Sequence, residues 1–240
     1  MKKVYYQYKI GPNIYELDDW SHQLFPADFY EKPKKSISDS DKGYAHAKCP
    51  AWKEWHKNTW VVTQQFDLGF EYNSQERRIE TNLSQAIFDE YFMLAPDWLD
   101  AKYPEIQFKY AHTFWTKEKD VWIEQIGHPE AFRLGLDVIP GTFPISVWTR
   151  PVGFGFKLLV TDQKVWIPKG TPLYYFKLRS RKSDSNFSIE QKDLPKDIIH
   201  KQRQDLDLKE YQKNISWDLI KKRLQKEEES KCPFNFLWKR

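Results

Sequence analysis

Cysteine is almost missing from this chain, with only Cys49 and Cys232 in 240 residues. A chain of this length in an oxidising compartment usually carries more, so a disulfide framework is excluded and a reducing setting is the simpler home. A single Cys49–Cys232 bridge is the other arrangement. Long apolar runs are missing too. The apolar stretches fall far short of the roughly 18–20 residues of a membrane helix, and the mean hydropathy is −0.78. The basic opening Met1–Lys9 has no apolar segment or small-residue cleavage site behind it. A soluble protein without a signal peptide is therefore predicted, and no membrane partner. The chain has no Gly-x-Gly-x-x-Gly, no Gly-x-x-x-x-Gly-Lys-Ser/Thr and no Gly-x-Ser-x-Gly. Nucleotide-binding and hydrolase functions that rest on those loops are removed. An excess of one charge is missing as well. Thirty-eight basic and 34 acidic side chains leave a net charge of +4, ordinary surface variation that does not indicate nucleic acid as a partner.

What the chain has in quantity is rings: 11 Trp, 13 Tyr and 16 Phe. Their bulk favours pleated strands over helical turns. Residues 2–10 read as a strand ended by Gly11-Pro12-Asn13, and 18–48 as a long surface loop. Cys49–His56 reads as a short helix with Pro50 in its first turn, and Asn58–Thr63 as a strand. Phe66, Leu68, Phe70 and Tyr72 alternate at the two-residue period of a half-buried strand. Ala86–Leu94 fits strand or helix. Glu105–Thr116 and Val121–Ile126 around the polar turn Lys117–Asp120 predict a hairpin. Further strands are expected at 136–139, 145–149, 153–159, 165–167 and, after the turn Pro168–Pro172, at 173–178. Short, closely spaced strands imply a mainly β fold, an antiparallel sandwich or barrel of jelly-roll or cupin type. The core domain is expected over 1–180, with a helical C-terminal tail over 181–240. Helices are read from Asp193 and Pro195 to about Gln204 and from Leu208 to Glu228. Tyr211, Ile215, Leu219 and Leu224 share a face of the second, to be packed on the core or on a partner.

His128-Pro129-Glu130 carries the sharpest chemistry. A His-x-acid pair at a strand end plus a distant His, here His200 or His112, is the facial-triad pattern for Fe(II). The plainer alternative is that His128 and Glu130 occupy a turn, with no cofactor. Cys49, before Pro50, reads as a small packed hydrophobe rather than a nucleophile. No zinc spacing occurs. Trp52, Trp55, Trp60, Trp115 and Trp148, with Trp122 and Trp166, offer flat rings for sugars or bases if exposed. Their setting on alternating strands favours burial for most.

Three segments carry a resemblance: Lys48-Cys49-Pro50-Ala51-Trp52, Asn58-Thr59-Trp60-Val61-Val62 and Trp166-Ile167-Pro168-Lys169-Gly170-Thr171-Pro172-Leu173. With them the chain resembles a family of uncharacterised, cyanophage-like proteins of marine tailed bacteriophages, across most of the β region. That family carries no assigned activity or catalytic residues. The resemblance implies a phage context, hence host cytoplasm or virion. The expectation is a non-enzymatic protein, a virion component or a binder of a host or viral partner, with a protein partner or homo-oligomer. An Fe(II)-dependent oxygenase-type enzyme, or a carbohydrate- or single-strand-binding module, are the alternatives.

Overall fold

β-Branched and aromatic residues set the strands of this chain, and Gly, Pro and Asn punctuate them. The computed structural model describes residues 1–8, 25–26, 49–64, 66–94, 103–108, 112–149, 155–212 and 217–229. One sheet has the order β15 (Phe187–Gln191), β1 (Lys2–Tyr8), β8 (His112–Trp115). A second has the order β11 (Gly141–Pro144), β9 (Trp122–Gly127), β14 (Pro172–Arg179), β3 (Thr59–Thr63), β2 (Phe25–Pro26). A third joins β10 (Leu136–Val138), β12 (Gly155–Leu158), β7 (Glu105–Phe108) and β6 (Phe92–Leu94). The fourth joins β13 (Lys164–Ile167), β4 (Leu68–Asn73) and β5 (Arg78–Thr81). Helices α1 (Pro50–His56), α2 (Gln85–Tyr91), α3 (Pro129–Arg133), α4 (Lys196–Gln212) and α5 (Trp217–Glu229) complete the described residues. The chain is mainly β and sandwich-like, built from antiparallel sheets. Among the described residues one pairing departs from this, the parallel β1–β15 ladder.

One core draws on all four sheets, with Val4 and Phe114 from the first, Trp60 and Phe176 from the second, Phe156 and Ile106 from the third, and Phe70 and Val165 from the fourth. Its rings are interlocked. Phe176 stacks on Trp60 at 5.5 Å and tilts against Phe114 at 4.8 Å. Phe92 stacks on Phe88 at 5.0 Å and meets Phe70 edge-on at 5.7 Å. Such contacts add roughly 0.5–1.5 kcal/mol per pair beyond area burial. The turn before β14 needs Gly170 at φ +85°, a conformation that other residues adopt at a cost.

The structure corrects the expected layout at several points. The predicted hairpin does not form: β8 pairs with β1, and β9 lies between β11 and β14. All four residues of β8 are buried, so the pattern over 105–116 reports burial and carries no information about which strand is the neighbour. Residues 145–147 are a turn, and the strand precedes them at Gly141–Pro144. Ile145 and Val147 are buried two residues apart, which imitates strand alternation. The β region continues beyond residue 180, because β15 joins β1. Ala86–Leu94 contains both expected elements in succession, α2 capped by the Ser84 side chain and then β6. Helix α4 runs unbroken through Gln204–Asp207, where no Gly or Pro stops it. The expected loop lies outside the described residues, save Phe25–Pro26, which pairs with β3.

Helix α5 docks on the β core. Its buried anchor is Ile220, 2% exposed, where the sequence pointed to Leu219 and Leu224. Arg223 donates to the Val147 carbonyl at 3.3 Å, and the Ser146 hydroxyl donates to Glu227 at 3.3 Å. Beneath the helix sits Asp120, 7% exposed and at φ 54°. Its carboxylate accepts from the Ser180 hydroxyl, from Lys182 N at 2.9 Å and from the Trp122 indole at 3.1 Å. Its own N–H donates to Glu227 at 3.3 Å. Lys2 donates to the Lys119 carbonyl at 2.7 Å and to Ser180 at 3.3 Å. Burial alone would raise the Asp120 pKa, but the donors from Ser180, the Lys182 and Arg181 backbone and Trp122 outweigh it and hold the carboxyl below the ordinary aspartate value.

The folded value being the lower one, Asp120 stabilises the fold above its unfolded pKa of about 3.9 and loses that contribution as pH falls through the folded value. Asp120→Asn is expected to cost about 2–4 kcal/mol at pH 7, since the amide turns an NH2 towards donors. In urea unfolding the gap to the unsubstituted protein narrows below about pH 4. An equal gap at pH 7 and pH 3 refutes the assignment.

Candidate functional site

Strand β14 alternates between two environments. Tyr174, Phe176 and Leu178 face the main core, while Val61, Tyr175 and Ile126 form a second, smaller cluster on the opposite face. The ladder places Lys177 on that outer face, opposite Thr59 on β3 and Glu124 on β9. Helix α1 covers this end of the sheet. Pro50 starts it, its fixed φ suiting a first turn, and the chain leaves it at Asn58 with φ 57°. Asn58 then locks the exit. Its amide donates to the Ser185 carbonyl at 2.9 Å, its side-chain oxygen accepts from Phe187 N at 3.0 Å, and its carbonyl accepts from Leu178 N at 2.9 Å.

A run of rings crosses from the helix to the sheet. Trp52 lies 4.0 Å from His56, Trp55 lies 4.7 Å from His56 and meets Tyr175 edge-on at 5.0 Å, and Tyr175 lies 4.7 Å from His128. Within this run Trp55 is 39% exposed. Lys177 clamps it, donating to the Trp55 carbonyl at 2.7 Å with its Nζ 5.7 Å from the ring centre. Burial first, and then the Arg179 charge, hold the Lys177 pKa below the ordinary lysine value.

At the end of α1 opens a cleft of about 210 Å³, bounded by that helix, the end of β14 and the Ser180–Phe187 link. Glu54, Lys57, Lys177, Arg179, Ser183 and Asp184 are among its lining. Lys57 bonds Asp184 at 2.8 Å, the contact that chiefly raises its pKa. Arg179 pairs with Glu124 at 2.7 Å. Ser183 lies 3.0 Å from Ser180 and 2.7 Å from Ser185, so hydroxyls form one wall. Cations, carboxylates and hydroxyls share the opening, and half-exposed Trp55 belongs to the helix that bounds it.

Of the tryptophans named from the sequence, Trp52 and Trp55 share this site. Trp60 is 8% exposed in the main core, and Trp115 is 2% exposed, stacked on Tyr5 at 4.4 Å. Trp148 packs elsewhere, edge-on to Phe143 at 6.2 Å. Trp122 is buried beneath Arg181, whose guanidinium carbon lies 3.4 Å from its ring centre. Trp166 is exposed on β13 near Lys164. Three of the seven rings are thus buried, fewer than strand alternation implied, because Trp52 and Trp55 ride on a helix and Trp166 faces outward on its strand. Cys49 is likewise exposed, not packed, because it precedes α1 at the surface.

The proposed iron ligands have other work. His128 caps α3, its Nδ1 accepting from Glu130 N at 3.0 Å, while the Glu130 carboxylate pairs with Arg133 at 3.0 Å. His200 is exposed on α4, and His112 is buried on β8 between Tyr6 and Phe114. Among the described residues no three His, Cys, Asp or Glu side chains gather as a metal requires. These residues do not fit Fe(II).

The sequence passed over Lys57, Asn58, Lys177 and Arg179. One signal was present: Lys177 interrupts the apolar run Leu173–Leu178. The Ser180–Asn186 segment, read as a loop, supplies the hydroxyl wall. His128→Ala is expected to remove a cap worth about 1 kcal/mol, lowering Tm by about 2–4 °C with no change in bound iron by elemental analysis. Stoichiometric iron lost on this substitution refutes the capping role as the whole account. The chain matches no protein-family model and no curated protein.

Proposed function

We propose that this is a non-enzymatic binding protein whose recognition surface is the α1 face and the cleft beside it. The observation that carries the reading is Trp55, an indole 39% exposed although Tyr175, which it meets edge-on, is buried. A half-exposed Trp braced by rigid partners loses little conformational freedom on binding, which suits it to anchor a ligand. The bracing is extensive. Tyr175 holds the ring edge-on, Lys177 fixes the carbonyl, and the Thr59 hydroxyl donates to that carbonyl at 3.1 Å. The titratable groups around it are committed to ion pairs and backbone contacts, which supports binding over acid–base chemistry. In the phage setting implied by the sequence resemblance, the protein serves as a virion component or as a binder of a host or viral partner.

Aromatic anchors are worth about 1–3 kcal/mol by alanine substitution, or about 5- to 150-fold in Kd. Phage structural proteins and fractionated host envelope, titrated against the full chain by biolayer interferometry, supply the test. Trp55→Ala is expected to weaken the interaction within that range while circular dichroism shows the same β-rich spectrum. A partner bound equally well by the folded Trp55→Ala variant refutes this surface as the recognition site.

A further inference from the structure

We propose that helix α5 is a regulatory arm of the cleft: docked, it holds the Ser180–Phe187 link in place, and lifted, it frees the Ser180 end of that link. The inference rests on the binding-protein reading above for what the arm regulates, and adds the control. The seat of α5 is shallow. Among its described residues only Ile220 is buried, at 2% exposed, while Leu219 and Leu224 are half-buried and Trp217 is 46% exposed. A helix of 13 residues is marginal in water on its own, so leaving the seat and unwinding are one step. One buried aliphatic side chain opposes that step, whereas the interlocked rings of all four sheets oppose unfolding of the core. Elements held so lightly open as units, at a smaller free energy than the whole molecule requires.

The contacts of α5 fall on the groups that fix the link. Glu227 accepts from the Asp120 N–H and from the Ser146 hydroxyl, each at 3.3 Å. The Asp120 carboxylate in turn accepts from the Ser180 hydroxyl and from Lys182 N at 2.9 Å. Trp217 stands edge-on to the Trp122 indole at 6.5 Å, and Arg181 lies over the same indole at 3.4 Å. Glu228 pairs with the Lys182 ammonium at 2.5 Å, but both partners are exposed and such a pair is worth little alone. The Glu227–Asp120 contact is therefore the lever. The other end of the link has a separate anchor in Asn58, which accepts from Phe187 N at 3.0 Å and donates to the Ser185 carbonyl at 2.9 Å. Lifting α5 leaves the Asp120 N–H and the Lys182 ammonium to water and opens the Trp217 side of Trp122, so one end of the link loosens while the other stays. Asp184, which holds Lys57 across the cleft, lies between them. Such coupling is reciprocal: a ligand that orders the link seats α5 more firmly.

Amide hydrogen exchange followed by NMR in the full chain tests this without a ligand, so the coupling and the binding-protein reading fail separately. Two amides report the ends of the link, Lys182 N–H on Asp120 and Phe187 N–H on Asn58. In the unsubstituted protein the α5 amides are expected to exchange faster than those of β9 and β14. Ile220→Ala, which empties the seat, and Glu227→Ala, which cuts the lever, are each expected to speed Lys182 exchange by about fivefold or more, the low end of ordinary coupling between sites. The Phe187 and β14 amides keep their rates. A Lys182 rate that stays fixed while the α5 amides accelerate overturns the coupling and leaves the Trp55 surface standing. Acceleration of Phe187 and β14 in step with Lys182 in both variants does the same, because α5 is then no separate unit. Equal exchange of α5 and β14 in the unsubstituted protein overturns the coupling as well.

Discussion

Asp120 is a carboxylate placed where a charge is expensive, under helix α5 and between two sheets, and the arrangement of the molecule around it follows from keeping that charge hydrogen-bonded. Three segments meet at it: the β8–β9 link that contains it, the link after β14 through Ser180 and Lys182, and α5 through Glu227. Lys2 brings β1 to the same point through the Lys119 carbonyl and Ser180. An Asp tolerates the left-handed φ of 54° that this turn requires better than most residues. The chain therefore leaves the first sheet at Asp120 and enters the second, where a hairpin would have kept β8 and β9 side by side.

The consequence reaches the cleft. Ser180 and Lys182 are fixed by Asp120 at one end of the link after β14, and Ser185 and Phe187 are fixed by Asn58 at the other. The segment between, with Ser183 and Asp184, spans two anchored ends. Its hydroxyls are thus held at a defined place although they are exposed. On the outer face of the same sheet, α1 covers the Val61–Tyr175 cluster and α5 sets Trp217 against Trp122 at 6.5 Å. Lys177 and Arg179 lie between these two covers, which is why the polar opening occurs there.

Strands could be read from the chain because ring and β-branched residues at a two-residue period leave few alternatives. Phe66–Tyr72 and Leu173–Leu178 show this, as does the Gly170 turn. Partners could not be read. The alternation over 105–116 gives a buried face and nothing about which strand lies alongside, so β8 went to β1 against expectation. The helix boundary near Gln204 failed because a polar stretch without Gly or Pro is as good in a helix as between two. The site was half legible. Trp52 and Trp55 stand out by residue type, whereas Lys57, Asn58 and the serines are ordinary surface residues until β14, α1 and the Ser180–Phe187 link bring them together. His128 and Glu130 show the converse: a pattern with chemical meaning that the fold spends on capping a five-residue helix.

Lys177 separates what folding needs from what the surface is for. It occupies a central strand, on a face where Tyr175 and Val61 already form an apolar cluster, and burial and Arg179 both act against its charge. A leucine there would extend the cluster and bury additional apolar area at about 25 cal/mol per Å². Local rules of strand composition and electrostatics are broken together at this position, and proteins keep such departures where a site requires them. The ammonium is not idle. It holds the Trp55 carbonyl and fixes α1 over the sheet, so the cation that weakens the cluster also sets the angle at which the indole meets solvent. Stability forgone at Lys177 thus reappears as preorganisation of Trp55, and preorganisation is the quantity a small site most needs when its contact area is too limited to bind through burial alone.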